Sequence, residues 1–86
     1  MPTISLFYGI KIAIYYNDHS PPHFHAKYAG NEAVIDILNC VATRSGLPKR
    51  QLKLVLAWAE LHRDELMQAW EMAKSGEEPP KIEPLR

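Results

Sequence analysis

The first half of the chain alternates apolar and polar residues with the period of two that is typical of β-strands. Two such stretches lie on either side of Gly9, and the second alternates without interruption from Ile10 to Tyr16. β-Branched and aromatic side chains, which favour strands, dominate both stretches. The pattern therefore predicts a β-hairpin over residues 3–16.

A second hairpin is predicted over residues 23–38, with Gly30-Asn31 as its two-residue loop. With this loop, His25 lies opposite Asp36 on the neighbouring strand. One face of the hairpin is then apolar and is predicted to join the core: Phe24, Ala26, Tyr28, Ala33, Ile35 and Ile37. The other face is polar and carries His23, His25, Lys27, Glu32 and Asp36.

The second half of the chain has its apolar residues at helical spacing, which predicts one long helix over residues 48–75. Lys74-Ser75-Gly76 is a typical stop signal for that helix. The alternative is a break near His62, with Asp64 capping a second helix. Residues 39–46 are predicted to be a connection without regular structure.

The tail, residues 77–86, is rich in proline and is predicted to be extended. Ile82 and Leu85 either dock on the body of the protein or on a partner, or they belong to a frayed end. The predicted fold class is α+β. It comprises a small, mainly antiparallel four-stranded sheet with one long helix packed on one face and the extended tail, in a single domain of residues 1–86.

Composition narrows the classes of function. Ten basic and ten acidic side chains cancel, which argues against a nucleic-acid binder held by bulk charge. The charge is unevenly placed, with a net +3 over residues 1–53 and −3 over residues 54–86. The single cysteine, Cys40, excludes an internal disulfide, and neither a signal peptide nor a membrane-spanning apolar run is evident. We expect a soluble, cytoplasmic protein with no membrane partner.

The most distinctive segment is Asp18-His19-Ser20-Pro21-Pro22-His23-Phe24-His25, within residues 17–25, which holds three of the four histidines. Its two prolines predict a stiff, extended backbone. His23 and His25 share one face of a strand, and His19 can fold back towards them. The spacing suits a divalent transition metal such as zinc, with His19, His23 and His25 as ligands and Asp18 or Asp36 as a further ligand or orienting group.

Two other interpretations of the histidines stay open. In the first, His23 and His25 simply occupy the solvent face of the sheet and form part of a recognition surface, with His25 and Asp36 as a weak cross-strand pair. In the second, one of these histidines performs acid–base catalysis without a metal, and Asp36 fixes its tautomer. The catalytic candidates are therefore His23, His25 and Asp36.

A basic group surrounds the start of the predicted helix and is a candidate anion site: Arg44, Lys49, Arg50 and Lys53. Positive charge there opposes the helix dipole, which an anion would complement. The alternative is a solvated helix start. The fourth histidine, His62, is one helical turn from Trp58 and is predicted to pack rather than to bind metal.

The chain resembles a known family along nearly its whole length. The resemblance rests on Met1-Pro2-Thr3-Ile4, the Pro-Pro-His-Phe-His segment, Leu47-Pro48-Lys49-Arg50-Gln51-Leu52, the series from Trp58 to Trp70 and Lys81-Ile82-Glu83-Pro84-Leu85. These residues are similar to the bacterial DUF4160 family, which has no established activity. Its members are often encoded beside another small uncharacterised protein, and the resemblance therefore implies an arrangement like that of toxin–antitoxin pairs.

We expect a binding or regulatory module, one member of a toxin–antitoxin-like pair, whose partner is another small protein or a second copy of the chain. Its predicted partner surface comprises Asp18, His19, His23, His25, Lys27 and Asp36. The alternative function is a metal- or histidine-dependent nuclease or hydrolase that uses His19, His23 and His25. The alternative would need a divalent transition metal, zinc or similar, or a histidine acting alone.

Overall fold

The strands are antiparallel and form one sheet, in which each strand lies beside the strands that precede and follow it in the chain. The computed structural model describes residues 2–86. Its strands are β1 (Thr3–Phe7), β2 (Ile10–Ala13), β3 (His23–Tyr28), β4 (Asn31–Asp36) and β5 (Val41–Ser45). Two helices follow, α1 (Lys49–Leu61) and α2 (Arg63–Lys74). The predicted α+β class with an antiparallel sheet is confirmed.

The core lies between one face of the sheet and the helices. Alternate residues of the strands, including Phe24 and Ile35, are fully buried there with residues of both helices. Trp58 of α1 is the centre of this contact, since its ring packs against Phe7 and Phe24 with centroid distances of 5.2 and 5.8 Å. Among residues 2–86, neither helix has the length and apolar character needed to cross a membrane.

The sheet has a fifth strand, so the predicted count of four is wrong. β5 lies within residues 39–46, which were expected to form a connection. This edge strand is mostly exposed, and only Ala42 packs against the core. Its sequence therefore shows no apolar alternation, which is the signal that reveals a half-buried strand.

The prediction of one long helix is also wrong, because the helix bends at His62, where φ is −117° and ψ is 25°. The alternative, a break near His62, is confirmed, but His62 rather than Asp64 is the N-cap of the second helix. Two acidic side chains in the first turn of α2 favour a new helix start at this point. The bend lets the two helices reach different parts of the sheet. Trp58 covers Phe24 in the core, while Trp70 of α2 packs against His23 at the beginning of β3, with ring centroids 5.1 Å apart.

The loop of the second hairpin is Ala29-Gly30 rather than Gly30-Asn31. Both loop residues have positive φ, as a type I′ turn requires. His25 consequently lies opposite Val34, and its predicted pairing with Asp36 is wrong. Because side chains alternate with a period of two, this shift by two residues leaves each residue on its predicted face.

The tail is extended and lies against the body of the protein. The indole Nε1 of Trp58 donates a 2.8 Å hydrogen bond to the carbonyl of Glu83. The amide of Ile82 donates a 2.8 Å bond to the carbonyl of Ile4 in β1, and the Ile82 side chain is buried. The tail thus covers part of the β1 edge.

The turn between β4 and β5 gives a testable dependence of stability on pH. The Asn39 side chain and amide donate hydrogen bonds of 2.9 and 3.2 Å to the Asp36 carboxylate. The side-chain bond is the main reason why the pKa of Asp36 lies below its ordinary value of 3.8, although partial burial opposes the shift. A carboxyl group with a lowered pKa stabilises the fold above its unfolded pKa and loses that effect as pH falls through the folded pKa.

We therefore expect Asn39→Ala to lower the free energy of unfolding at pH 7, and the deficit relative to the parent protein to shrink as the pH falls below about 4. Urea unfolding followed by tryptophan fluorescence at a series of pH values measures this difference. Asn31→Ala, at an exposed asparagine, is the control and should show no such trend. A deficit for Asn39→Ala that stays constant down to pH 3 would contradict this account.

Candidate metal centre

The central strand β3 presents His23 and His25 on the face of the sheet opposite the core. Residues two apart in a strand have Cα atoms about 6.5–7 Å apart, and their side chains leave the sheet on the same side. Phe24 and Ala26 point to the other side and are fully buried. Since the core fixes these two residues, it also fixes the direction of both imidazoles.

Residues 14–22 join β2 to β3 and fold over the two histidines. The amide of Ile14 donates to the carbonyl of Pro2, and the amide of Asn17 donates to the carbonyl of Ala73 in α2, both at 3.2 Å. Between these anchors, Tyr15 stacks on the ring of His25 with centroids 4.1 Å apart and planes inclined by 20°. This cover leaves His23 and His25 only 9 % and 8 % exposed.

The same segment places the Asp18 carboxylate between the two rings. Its Oδ2 lies 2.9 Å from Nε2 of His23 and 3.7 Å from Nε2 of His25. One oxygen and two nitrogens, from Asp18, His23 and His25, all lie within 4.8 Å of one another. Carboxylate oxygen and imidazole nitrogen are the ligand atoms that divalent transition metals use in proteins.

The remaining ring nitrogens decide where the protons lie. Nδ1 of His23 is 2.8 Å from the carbonyl oxygen of Pro21, and Nδ1 of His25 is 2.8 Å from Oε2 of Glu32. A carbonyl and an ionised carboxylate only accept hydrogen bonds, so Nδ1 of each ring donates. In a neutral imidazole Nε2 then carries a lone pair. Nε2 of His25 thus has a lone pair directed at Asp18, whereas Nε2 of His23, 2.9 Å from Oδ2 of Asp18, donates a hydrogen bond to that oxygen when it is protonated.

Asp18 is ionised at neutral pH. Burial by itself would raise its pKa, but the hydrogen bond from the His19 amide and the charge and hydrogen bond of His23 outweigh burial. The pKa of Asp18 therefore lies below its ordinary value of 3.8. Without a cation, the site would bring three electron-pair donors together, one each from Asp18, His23 and His25.

A proton or a metal ion can supply that cation. A second proton on His23 would satisfy its 2.9 Å contact with Asp18 but would leave His25 unchanged. Nε2 of His25 is buried and has no hydrogen-bond partner among residues 2–86. A divalent ion would use all three donors. In a tetrahedral zinc site ligand atoms are about 3.3 Å apart, so side-chain movements of the order of 1 Å would bring these three into place.

The other predicted site residues lie outside this group of three. His19 is 87 % exposed on the rim, where its Nδ1 is 2.9 Å from the other oxygen of Asp18. Asp36 is bound by Asn39 and does not orient His25. Lys27 places its ammonium group 5.7 Å from the centroid of the Tyr15 ring. His62 pairs with Glu65 at 2.6 Å on the helices.

The four basic residues of the predicted anion site lie on two different elements of the fold. Arg44 lies on β5, whereas Lys49, Arg50 and Lys53 lie on α1 and are exposed. Only Arg44 faces the histidines, and it lines an open cleft of about 410 Å³ with the following residues: Tyr15, Asp18, His19, His23, His25, Val34 and Thr43. Of the four basic side chains, only that of Arg44 lies beside the candidate metal centre.

Sequence reasoning missed Glu32 and Tyr15 as partners of His25. Glu32 was placed on the correct face, but the two-residue error in the hairpin register gave its role to Asp36. The true register places the opposite charges of Lys27 and Glu32 directly across from each other, and this is the sequence signal that favours it. The position of Tyr15 depends on how residues 14–22 fold, and no local pattern reveals it.

Comparison with known proteins assigns the chain to a family. A family model described as "Domain of unknown function (DUF4160)" matches residues 9–71. This range extends from β2 into α2 and contains Asp18, His23 and His25. Neither the curated proteins nor the solved structures gave a significant match. The match covers well over half of the sequence, and the chain therefore belongs to the DUF4160 family, a domain of unknown function.

Proposed function

We propose that this protein is a metal-dependent hydrolase whose ion is held by Asp18, His23 and His25. The observation that carries the proposal is the buried, unpartnered Nε2 of His25, which faces an oxygen of Asp18 that Nε2 of His23 already approaches. Leaving a buried polar atom without a partner costs about 1–3 kcal/mol, and a bound cation would remove that cost.

The hydrogen bonds of the two Nδ1 atoms support metal ligation. Ligand histidines in metal sites usually donate their second ring N–H to a carbonyl or a carboxylate, which fixes the tautomer and the direction of the ring. Pro21 and Glu32 provide one acceptor of each kind. In each ring Nδ1 is therefore the protonated nitrogen, and Nε2 is the nitrogen that would bind a metal.

The number of ligands favours catalysis over a purely structural role. Structural zinc sites have four protein ligands, whereas catalytic sites have three and keep a position for water or substrate. Asp18, His23 and His25 supply three, and the remaining side of the site opens into the cleft. Zinc suits this set best for hydrolysis, and iron or manganese can occupy the same ligands.

The proposed reaction is the hydrolysis of an ester. Zinc, when bound, lowers the pKa of a coordinated water to about 7 and so yields hydroxide near neutral pH. Hydrolysis would join the oxygen of this water to the electrophilic atom of the ester, and the bond to the leaving group would break. The leaving group departs with that electron pair and takes up the proton that the water lost.

The alternative function, a regulatory module of a toxin–antitoxin-like pair, would use the same surface for a protein partner. Burial of His23 and His25 weighs against this alternative, because nine-tenths of each residue is already covered within the chain. Exposed apolar side chains at Leu6, Tyr8 and Leu61 are available to a partner elsewhere on the protein. Hydrolysis and partner binding therefore involve different surfaces and are compatible.

We predict close to one zinc ion per chain after the untagged protein is dialysed against excess zinc, as measured by elemental mass spectrometry. Asp18→Asn and His25→Gln should each weaken zinc affinity at least about 100-fold, since each removes one of three ligands. Circular dichroism shows whether each variant remains folded. His62→Ala, which removes a histidine outside the group, should bind zinc like the parent. Equal zinc content in parent and Asp18→Asn would contradict the proposal.

The orienting role of Glu32 gives a second prediction. Glu32→Gln retains a hydrogen-bond acceptor for Nδ1 of His25 but removes the negative charge, so zinc affinity should fall about 10–100-fold. The matched control is Glu65→Gln, because Glu65 makes the same kind of contact with His62. Competition with a chromophoric chelator measures both affinities. A similar affinity for the two variants would show that Glu32 does not support the site.

A further inference from the structure

We infer that the cleft beside the proposed metal centre binds a phosphodiester, with Arg44 holding one of its non-bridging oxygens. This inference rests on the proposed function and names the class of substrate. Its three supports are the position of Arg44, the charge of the site and the shape of the space around His23.

The sheet places Arg44 in line with the metal centre. His25 lies opposite Val34, and Val34 lies opposite Arg44, so the three residues form one row across β3, β4 and β5. Adjacent strands are about 4.8 Å apart, which puts the backbones of His25 and Arg44 roughly 10 Å from each other. The Val34 side chain between them is the apolar floor of the cleft. An oxyanion above Val34 would lie between the proposed metal and the guanidinium.

Glu32 connects the two ends of this row. Its Oε2 accepts the hydrogen bond from His25, while its Oε1 lies 3.9 Å from Nη2 of Arg44. That ion pair is long, and the Arg44 side chain is 70 % exposed, so most of its five N–H donors remain directed to solvent or to a ligand. The planar guanidinium suits two oxygens of a phosphate group.

The charge of the site favours a monoanion. A divalent ion and Arg44 together carry three positive charges, and the carboxylates of Asp18 and Glu32 carry two negative ones. While the coordinated water keeps both of its protons, the surplus is one positive charge, which a phosphodiester with its single negative charge would neutralise. A phosphomonoester carries between one and two negative charges near neutral pH and would leave the site with a net charge between zero and minus one.

The space around His23 has two parts. The larger cleft meets a second one of about 250 Å³, and the two share His19, His23, Val34 and Thr43 along their boundary. The second cleft continues past His23 towards Pro21 and Asp36. A phosphodiester has a substituent on each side of phosphorus and needs room in two directions. The two clefts on either side of their shared boundary provide it.

The test is binding of diphenyl phosphate and phenyl phosphate to the zinc-loaded protein, measured by isothermal titration calorimetry. We expect diphenyl phosphate to bind more tightly than phenyl phosphate. Arg44→Ala should weaken binding of diphenyl phosphate about tenfold or more, because a charge-assisted hydrogen bond is lost. Arg50→Ala removes an exposed arginine of α1 and should change the dissociation constant by less than about twofold.

Elemental analysis of the same samples separates the two proposals. Absence of zinc from the dialysed parent protein would overturn the proposed function, and this inference with it. Zinc present at parental levels in Arg44→Ala, with unchanged binding of diphenyl phosphate, would overturn the role of Arg44 alone. A zinc-loaded parent that does not bind diphenyl phosphate, or that prefers phenyl phosphate, would overturn the phosphodiester assignment and leave the metal site intact.

Discussion

The convergence of two imidazole Nε2 atoms on one carboxylate oxygen is the constraint on which the account of this protein depends. Hydrogen bonds to Pro21 and Glu32 fix the protons on Nδ1 of both rings. Asp18 is held as a carboxylate by its own partners. Three electron-rich atoms in a partly buried cleft repel one another unless a cation lies among them. A divalent ion would neutralise this repulsion and would require only small movements of the three side chains.

The fold supports this site from both sides of the sheet. Phe24 and Ala26 hold one face of β3 in the core, and Trp70 packs against the imidazole of His23. Trp70 belongs to α2, which begins directly after the bend at His62. Backbone hydrogen bonds at both ends of the covering segment restrain Asp18 in turn. The core and the candidate metal centre thus use opposite faces of β3, and they meet at His23, whose ring packs against Trp70.

Much of this arrangement is predictable from the sequence, because side-chain alternation determines which face each strand residue occupies. The polar face of β3 and β4 and the grouping of His23 with His25 follow from that rule. Alternation cannot detect a register error of two residues, however, since such an error preserves both faces. For that reason the sequence indicated Asp36 as the partner of His25, whereas the structure shows Glu32.

The features that the sequence did not predict either lack a clear alternation of apolar and polar residues or depend on contacts between residues far apart in the sequence. β5 is an exposed edge strand with one residue in the core, so its pattern resembles that of a loop. The sequence offers the bend at His62 only as the alternative to one long helix, because a continuous apolar stripe runs through this position. The sequence names Asp18 as a candidate ligand, but the stacking of Tyr15 on His25 depends on a connection whose course is set by hydrogen bonds to Pro2 and Ala73.

The most direct test of the central claim is the protonation of the ring nitrogens, observed by long-range ¹H–¹⁵N NMR of the chelator-treated protein before and after one equivalent of zinc. The account predicts that, with zinc, His23 and His25 each carry a proton on Nδ1 and coordinate through Nε2, while His62 is unchanged. Rings of His23 and His25 that do not respond to zinc, or a proton retained on Nε2 of His23, would contradict it.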